Sequence, residues 1–288
     1  ATVKLSGDNT YSGGTTISEG VLMAGSSSAF GTGSVGVAAG ATLDINGQNL
    51  VIGSLSDVDG AGGTVTNADT VPNHLTVGGD NSSTTFSGVI EDGVHALGLI
   101  KEGTGTFTLA GTNTYSFGTT VTGGTLAITN SHALGSGTLA LENGTTLSFD
   151  GTGINLANHV TVAGDPTFTV GAGDTDTISG VIADGGTPGE VVKDGDGTLI
   201  LSATNTYTGA TTVDAGTLNV TGSIASSSLT TVNSGGTLVG TGTVGDLEVA
   251  SGGTFAPGAA GTAGTSMTVS GTLTLDSGPT YRVAIDPS

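Results

Sequence analysis

The chain has 288 residues, of which 54 are glycine and only 4% are aromatic, and it contains no tryptophan. Four lysines and arginines stand against 24 aspartates and glutamates, and the formal net charge of −20 would repel nucleic acid and anionic membranes, so these partners are excluded. The absence of cysteine excludes a disulfide framework and cysteine–zinc sites.

From its first residues onward, the chain is built from short runs in which every second residue is apolar. In chain order the clearest are TVKLSG (2–7), GTFTLAG (105–111), GTLAITN (124–130), TTLSFDG (145–151), GTLILSA (197–203), GTLNVTG (216–222) and GTLTLDSG (271–278). Such alternation predicts short β-strands with one buried face, separated by turns that use glycine. Leu126, Ile128, Leu218 and Val220 are predicted to point inward, and Thr125, Ala127, Thr217 and Asn219 outward.

Helical signals are nearly absent. SSSAFG (26–31) and NSHALG (130–135) predict at most one helical turn each. No apolar run reaches 18 residues, and no signal peptide stands at Ala1. Because the chain begins inside a strand-like stretch, we expect it to be a segment of a longer protein.

One motif occurs three times. GDNTYSGGTT (7–16) returns as GTNTYSFGTT (111–120) and as ATNTYTGATT (203–212). SGVIEDG (87–93) and SGVIADG (179–185) are 92 residues apart, as are Lys101 and Lys193. Long units that repeat and tolerate insertions are typical of a solenoid, in which each unit contacts only its neighbours.

The repeat and the strand pattern together predict an all-β fold, a parallel β-helix (β-solenoid) forming a single elongated domain. A β-propeller would need repeats of about 40–50 residues with aromatic signatures, which are missing. With about 20 residues in each coil, meaning one turn of the solenoid, the chain would form about a dozen coils or more.

These motifs resemble the passenger domains of monomeric type V autotransporters of Gram-negative bacteria. KEGTGTFTLAGTNTYSFGTTVTGGTL (101–126) is similar nearly throughout to the passenger-associated transport repeat, and KDGDGTLILSATNTYTGATTVDAGTL (193–218) departs from it at Ala203 and Ala210. The first copy, VKLSGDNTYSGGTTISEGVL (3–22), carries only the later half, and residues 230–288 resemble the stretch that precedes the translocator.

The resemblance implies a right-handed β-helix that is exported across the outer membrane to the bacterial cell surface or secreted. It implies two regions: passenger coils with repeats and loop insertions at 1–189, and C-terminal coils at 190–288 that act as an autochaperone-like folding nucleus. The translocator barrel is expected to lie outside this chain.

Enzymatic chemistry finds little support in the residues. A pectate-lyase mechanism needs a basic residue and clustered carboxylates, but only Lys4, Lys101, Lys193 and Arg282 are basic, and the two repeat lysines fit a scaffold role. The aspartate pairs in SDVDG (56–60), GDTDT (173–177) and DGDG (194–197) are expected in turns.

The four histidines do not support an enzymatic function either. His74, His95, His132 and His159 have no serine nucleophile motif beside them and are expected in surface loops. We therefore predict no catalytic, cofactor-binding or metal-ligating residues and no cofactor, apart from weak, diffuse calcium binding by the acidic surface.

Threonine pairs raise one further alternative. Thr-x-Thr occurs at 64–66, 106–108, 167–169 and 272–274, as in ice-binding solenoids, but the irregular spacing predicts that these residues do not align on one face. Threonine's preference for exposed strand positions explains the pairs.

The function predicted from the sequence is a non-enzymatic cell-surface passenger module, an adhesin or self-association stalk whose C-terminal coils nucleate folding. One alternative is a passive spacer and folding template for an N-terminal enzyme or toxin. A lesser alternative is a carbohydrate-active β-helix enzyme. The expected partners are a host surface, extracellular matrix or another copy of the chain, together with the protein's own translocator.

Overall fold

The computed structural model describes residues 1–259 and 262–284. It divides into two compact units, Ala1–Ala140 and Leu141–Ser288. The described residues of both units form β-strands and turns without any helix, which confirms the all-β prediction. Consequently the described ranges contain no helix that is long and apolar enough to cross a membrane.

The strands of the first unit are short, and β16 (Leu139–Leu141) lies at the unit boundary. They are β1 (Thr2–Leu5), β2 (Thr15–Ile17), β3 (Gly20–Ala24), β4 (Val35–Val37), β5 (Ala41–Asp44), β6 (Leu50–Val51), β7 (Leu55–Asp57), β8 (Thr64–Thr66), β9 (Asn73–Val77), β10 (Thr84–Phe86), β11 (Val89–Ile90), β12 (Leu97–Lys101), β13 (Thr106–Leu109), β14 (Thr119–Val121) and β15 (Thr125–Ile128).

Within this unit, strands from successive coils pair side by side. The sheets run β1-β3-β5-β8-β11, β2-β4-β7, β6-β9-β12-β14 and β10-β13-β15. Every strand pair in them is parallel, as stacked coils require.

The second unit repeats this plan with longer ladders. Its strands are β17 (Thr146–Phe149), β18 (Asn155–Leu156), β19 (Val160–Gly164), β20 (Thr167–Val170), β21 (Thr175–Ile178), β22 (Ile182–Gly189), β23 (Val191–Asp194), β24 (Thr198–Leu201), β25 (Thr211–Val213), β26 (Gly216–Val220), β27 (Ser223–Ile224), β28 (Thr230–Val232), β29 (Gly236–Gly240), β30 (Thr243–Val244), β31 (Leu247–Val249), β32 (Thr254–Pro257), β33 (Thr268–Val269), β34 (Leu273–Leu275) and β35 (Thr280–Tyr281).

Two seven-strand sheets dominate the second unit. One runs β17-β20-β23-β25-β28-β31-β34 and the other β18-β21-β24-β26-β29-β32-β35, with β19-β22 and β27-β30-β33 completing the coils. Over the described residues the fold is a parallel β-solenoid of about 13 turns, so the prediction of a β-solenoid with a dozen coils or more is confirmed.

The core of each unit is a stack of apolar side chains from alternate strand positions. Leu126 and Ile128 in β15, and Leu218 and Val220 in β26, are fully buried as predicted. Ala127 was predicted to point outward but is also buried, because its methyl group is short enough to be covered by neighbours such as Thr108 on β13.

A glycine is sterically required where one of the strands begins. Gly216, at the start of β26, has φ = 62°, and a Cβ atom at this position would collide with the carbonyl oxygens of Gly195 and Gly197 on the previous coil. The Gly-Thr opening of the predicted strands therefore reflects close contact between coils.

The two stretches with a weak helical signal form turns only. In residues 26–31 the amide N–H of Ala29 donates to the carbonyl of Ser26, and in residues 130–135 that of Ala133 donates to Asn130, both at 3.3 Å. These i−3 bonds close single turns, as expected.

Candidate functional site

The repeated motif places a lysine inside the solenoid. Lys101, the last residue of β12, is fully buried, and its Nζ donates hydrogen bonds to the carbonyl oxygens of Glu102 at 2.6 Å, Gly103 at 3.1 Å and Gly123 at 3.0 Å. Three acceptors satisfy all three N–H groups of an ammonium. Lys101 thus joins its own turn to the turn of the following coil.

Lys193 in β23 makes the equivalent set of contacts. Its Nζ donates to the carbonyls of Asp194 and Gly195, both at 2.7 Å, and of Ala215 at 3.3 Å. Burial lowers the pKa of Lys193 to about 8, although nearby Asp194 and Asp196 act to raise it. Burial likewise lowers the pKa of Lys101. The scaffold role expected for these lysines agrees with this geometry.

The asparagine of each Asn-Thr-Tyr core bridges neighbouring coils. Asn113 Oδ1 accepts the N–H of Ile90 at 2.7 Å, and its Nδ2 donates to the carbonyl of Ala133 at 2.6 Å. Asn205 accepts the N–H of Ile182 at 2.8 Å and donates to the carbonyl of Ser223 at 3.2 Å. One side chain therefore pairs backbone groups on the coil before it and on the coil after it.

The tyrosine two residues later fills the core. Tyr115 and Tyr207 are completely buried, and their hydroxyls share hydrogen bonds with Thr119 Oγ1 at 2.6 Å and Thr211 Oγ1 at 2.7 Å. Burial raises the pKa of both phenols well above the ordinary value, while the threonine hydrogen bonds act to lower it. Both tyrosines are thus held neutral.

An aspartate from the preceding coil completes each cluster. The carboxylate of Asp184 accepts the N–H groups of Gly189 and Thr208, both at 3.0 Å, and the Thr208 hydroxyl at 2.7 Å. Burial alone would raise the pKa of Asp184, but these three donors lower it below its ordinary value. Asp92 accepts the equivalent bonds from Leu97 and Ser116.

We call each set of lysine, asparagine, tyrosine and aspartate a repeat cluster. The first is Asp92, Lys101, Asn113 and Tyr115, and the second is Asp184, Lys193, Asn205 and Tyr207. All four side chains of each cluster bond to backbone or hydroxyl groups of the solenoid. The polar groups of each cluster therefore hold local turns in shape and join neighbouring coils.

The first copy of the motif forms a weaker version. Asn9 is half-buried and donates to the carbonyl of Ala29 at 2.7 Å. Tyr11 is 38% exposed and shares a 2.9 Å hydrogen bond with Thr15. The local pairing of tyrosine and threonine is kept, but the burial is lost.

The aspartate pairs weighed as catalytic or calcium-binding candidates are not equivalent. Asp59 lies in a turn with φ = 55°, as expected, whereas Asp57 ends β7 and accepts the N–H and hydroxyl of Ser87 at 2.8 and 2.6 Å. Asp194 ends β23. No group of three or more histidines and carboxylates that could hold a metal ion occurs among the described residues.

Asp176 corrects the expectation that GDTDT is a turn. It lies in β21, is fully buried, and stacks in register with Leu199 of β24. Its Oδ1 accepts the N–H of Ile154 at 2.7 Å, while Oδ2 accepts no hydrogen bond from the residues that the structure describes. Burial raises the pKa of this carboxyl. The strand pattern overrides the turn preference of aspartate here.

His74 corrects the prediction that the histidines lie in surface loops. It sits in β9, and its ring stacks on Phe117 with 4.7 Å between ring centroids. Burial lowers the pKa of His74. Phe117 occupies the position that is glycine in the other two copies, Gly13 and Gly209.

The structure aligns a row of threonines that lie outside the Thr-x-Thr pairs considered in the sequence analysis. One outward position on consecutive strands of the sheet β21-β24-β26-β29-β32-β35 is threonine in every strand. The six are Thr175, Thr198, Thr217, Thr237, Thr254 and Thr280. Successive threonines of this row are separated by 17 residues (Thr237 to Thr254) to 26 residues (Thr254 to Thr280) along the chain. The separation varies because some turns are longer than others, while the register between the strands stays the same.

We call the outward side of these strands the threonine face. A usable signal was present in the sequence: Thr198, Thr217 and Thr237 each follow the glycine that opens a Gly-Thr-Leu strand. Aligning strands on that glycine, instead of counting residues between threonine pairs, predicts the row.

Comparison with known proteins places these features in a family. The sequence profile of the passenger-associated transport repeat matches residues 1–24, 99–128 and 191–220, which hold the three copies of the motif. No solved structure matches the chain.

Two curated relatives are similar over parts of the chain. An "Adhesin BmaC autotransporter" from Brucella suis biovar 1 (strain 1330) is 37% identical over 236 residues, covering 74% of this chain and 6% of that protein. An "Extracellular serine protease" from Serratia marcescens is 46% identical over 70 residues, covering 24% of this chain and 6% of that protein. The chain thus spans only a small part of the length of either relative.

Proposed function

This chain belongs to the passenger domains of type V autotransporters, and from that premise we propose that it is a non-enzymatic adhesive module exposed on the bacterial surface or secreted. The observation that carries the proposal is the repeat cluster. Its lysine, asparagine, tyrosine and aspartate side chains, the groups best suited to chemistry, are bonded into the scaffold. What the module offers a partner is therefore its outer strand faces.

Similarity to an autotransporter adhesin over most of this chain supports the adhesive role. The partner would be a host surface, extracellular matrix or a second copy of the chain, and the protein's own translocator would be the partner during export. Many weak contacts along repeated coils would add up to useful binding through multivalency.

The adhesive role is tested with the purified 288-residue chain coupled to beads. We expect the beads to adhere to cultured epithelial cells or to matrix proteins, or to clump with one another, more than beads carrying the Leu218→Asp variant, whose coils should open locally. If coated beads neither adhere nor clump, the adhesive proposal fails and the spacer role is favoured.

A spacer and folding template for an N-terminal enzyme or toxin is the second candidate. The match of 70 residues to an extracellular serine protease favours it, since similar coils there belong to a protein named for its catalytic activity. In this role the coils at 190–288 would fold first and present a parallel edge on which the preceding coils stack. Deleting residues 230–288 should then slow refolding of 1–229, and unchanged refolding of that fragment would contradict it.

We propose that no cofactor is required and that calcium binds only diffusely to the 24 acidic residues. Thermal melts of the chain with and without millimolar calcium test this. Calcium should leave the thermal unfolding midpoint nearly unchanged, whereas a large, saturable increase would indicate a defined calcium site.

A further inference from the structure

The threonine face carries a row of threonines that are in register from strand to strand. Parallel strands lie about 4.8 Å apart, so six in-register threonines span about 24 Å along the direction in which the coils stack. Between Thr198 and Thr254 each of these threonines is half-buried. Such a strip is long and narrow, which suits an extended polymer better than a compact ligand.

The second outward row on the same strands is also uncharged. The ten outward side chains of β21, β24, β26, β29 and β32 are Thr175 and Thr177, Thr198 and Ile200, Thr217 and Asn219, Thr237 and Val239, Thr254 and Ala256. The neighbouring sheet of the same unit exposes Asp194 and Glu248 at outward strand positions. In a chain with net charge −20, an uncharged strip of this length favours an uncharged partner.

The face presents apolar and hydrogen-bonding groups together. Ile200, Val239 and Ala256 supply apolar surface beside the threonine methyl groups. The threonine hydroxyls of the same face can both donate and accept hydrogen bonds.

We propose that the threonine face binds an uncharged polysaccharide chain lying along the row of threonines. Sugar hydroxyls would exchange hydrogen bonds with the threonine hydroxyls, while the sugar C–H surfaces pack on Ile200 and Val239. A second copy of the chain is a less suitable partner for the threonine face, because two molecules that each carry a net charge of −20 repel each other when they come into contact. The inference rests on the proposed adhesive function and names its ligand class.

The test compares two triple variants of the 288-residue chain. Thr198→Val, Thr217→Val and Thr237→Val remove three hydroxyls from the threonine face, while the β-branched shape suited to strands is kept. The matched control changes Thr167, Thr212 and Thr231 to valine on the outward side of the neighbouring sheet in the same unit, where they are equally half-buried. Thermal melts verify that all three proteins fold.

Binding is measured as depletion of protein from solution by insoluble cellulose, chitin and starch. We expect the native chain and the control variant to bind at least one of them, and the face variant to bind about tenfold or more weakly. The proposal is overturned if none of the three polysaccharides depletes the native chain, or if both variants bind equally well. Dimers seen by sedimentation that only the face variant loses would instead assign the face to a second copy.

The same three proteins are also tested for adhesion to epithelial cells. If the native chain adheres to cells but binds no polysaccharide, the adhesive function stands and the assignment of this face is wrong. If it binds polysaccharide through the face but does not adhere to cells, the face is correctly assigned and the host-adhesion proposal fails.

Discussion

The first and third copies of the repeat use the same residues in different surroundings. In the third copy Tyr207 and Asn205 are buried and contacted by coils on both sides, whereas Tyr11 is 38% exposed and Asn9 is half-buried in the first copy. Both tyrosines keep the hydrogen bond to the threonine four residues later. The motif thus encodes a local shape, and its contribution to stability depends on the neighbouring coils that cover it.

The largest expected effect comes from a substitution that disrupts the apolar core at the third copy of the repeat. Leu218 is fully buried, so Leu218→Asp should lower the free energy of unfolding by at least about 4 kcal/mol, because a carboxylate cannot be solvated there. The equivalent Leu22→Asp in the first copy, where the leucine is half-buried, should cost about 1 kcal/mol. Urea denaturation measures both.

Thr217→Asp is the control for this comparison, since Thr217 is next in the chain but points outward. It should cost no more than about 1 kcal/mol. A cost for Leu22→Asp equal to that for Leu218→Asp would show that the two copies are equally covered in solution.

The next effect concerns the bridging asparagine. Asn205→Ala leaves the N–H of Ile182 buried without an acceptor and should cost about 1–3 kcal/mol. Asn9→Ala removes a part-buried bond to Ala29 that water can replace, and should cost less than about 1 kcal/mol. Hydrogen exchange sharpens the test, because protection of the Ile182 amide should fall in the first variant; unchanged protection would argue against the bridging role.

A smaller effect comes from the tyrosine hydroxyl alone. Tyr207→Phe keeps the ring in the core and removes one buried hydrogen bond, so it should cost about 1 kcal/mol. The loss is limited because Thr211 Oγ1 keeps its 3.0 Å contact with Ser227. Tyr11→Phe should be neutral in thermal melts, and an equal loss in both variants would mean that burial does not separate the copies.

Much of this fold was predictable because its information is local. Alternating apolar residues and Gly-Thr openings specify strands and turns, and the 92-residue repeat specifies stacked units, as the fully buried Leu126 and Leu218 confirm. The burial of Asp176 was not predictable, since aspartates in a Gly-Asp-Thr-Asp-Thr stretch are typical of turns. Its burial depends on register with Leu199 on the next coil.

The hydrogen-bond partners of the motif side chains also could not be predicted from the sequence. Lys193 was placed correctly in the repeat, but its acceptors are backbone carbonyls of Gly195 and Ala215, which carry no side-chain signal. The threonine face was missed because coils of unequal length hide a regular register behind irregular sequence spacing. Local patterns thus reveal the strands, while contacts between coils require knowledge of the register.

The smallest expected effect is a pH dependence of stability that comes from Asp184 in the second repeat cluster. Three donors hold the pKa of Asp184 below its ordinary value in the folded chain, against the opposing effect of burial. Because the unfolded chain then binds more protons in acid, Asp184 contributes stability above the ordinary pKa of aspartate, and this is lost as the pH falls through the folded value. The isosteric Asp184→Asn removes the titration, so the difference in urea midpoint between native and variant chains should shrink on going from pH 7 to pH 3. A difference that stays constant over that range would mean that Asp184 joins the coils through shape alone and that its charge has no part in fastening the third copy.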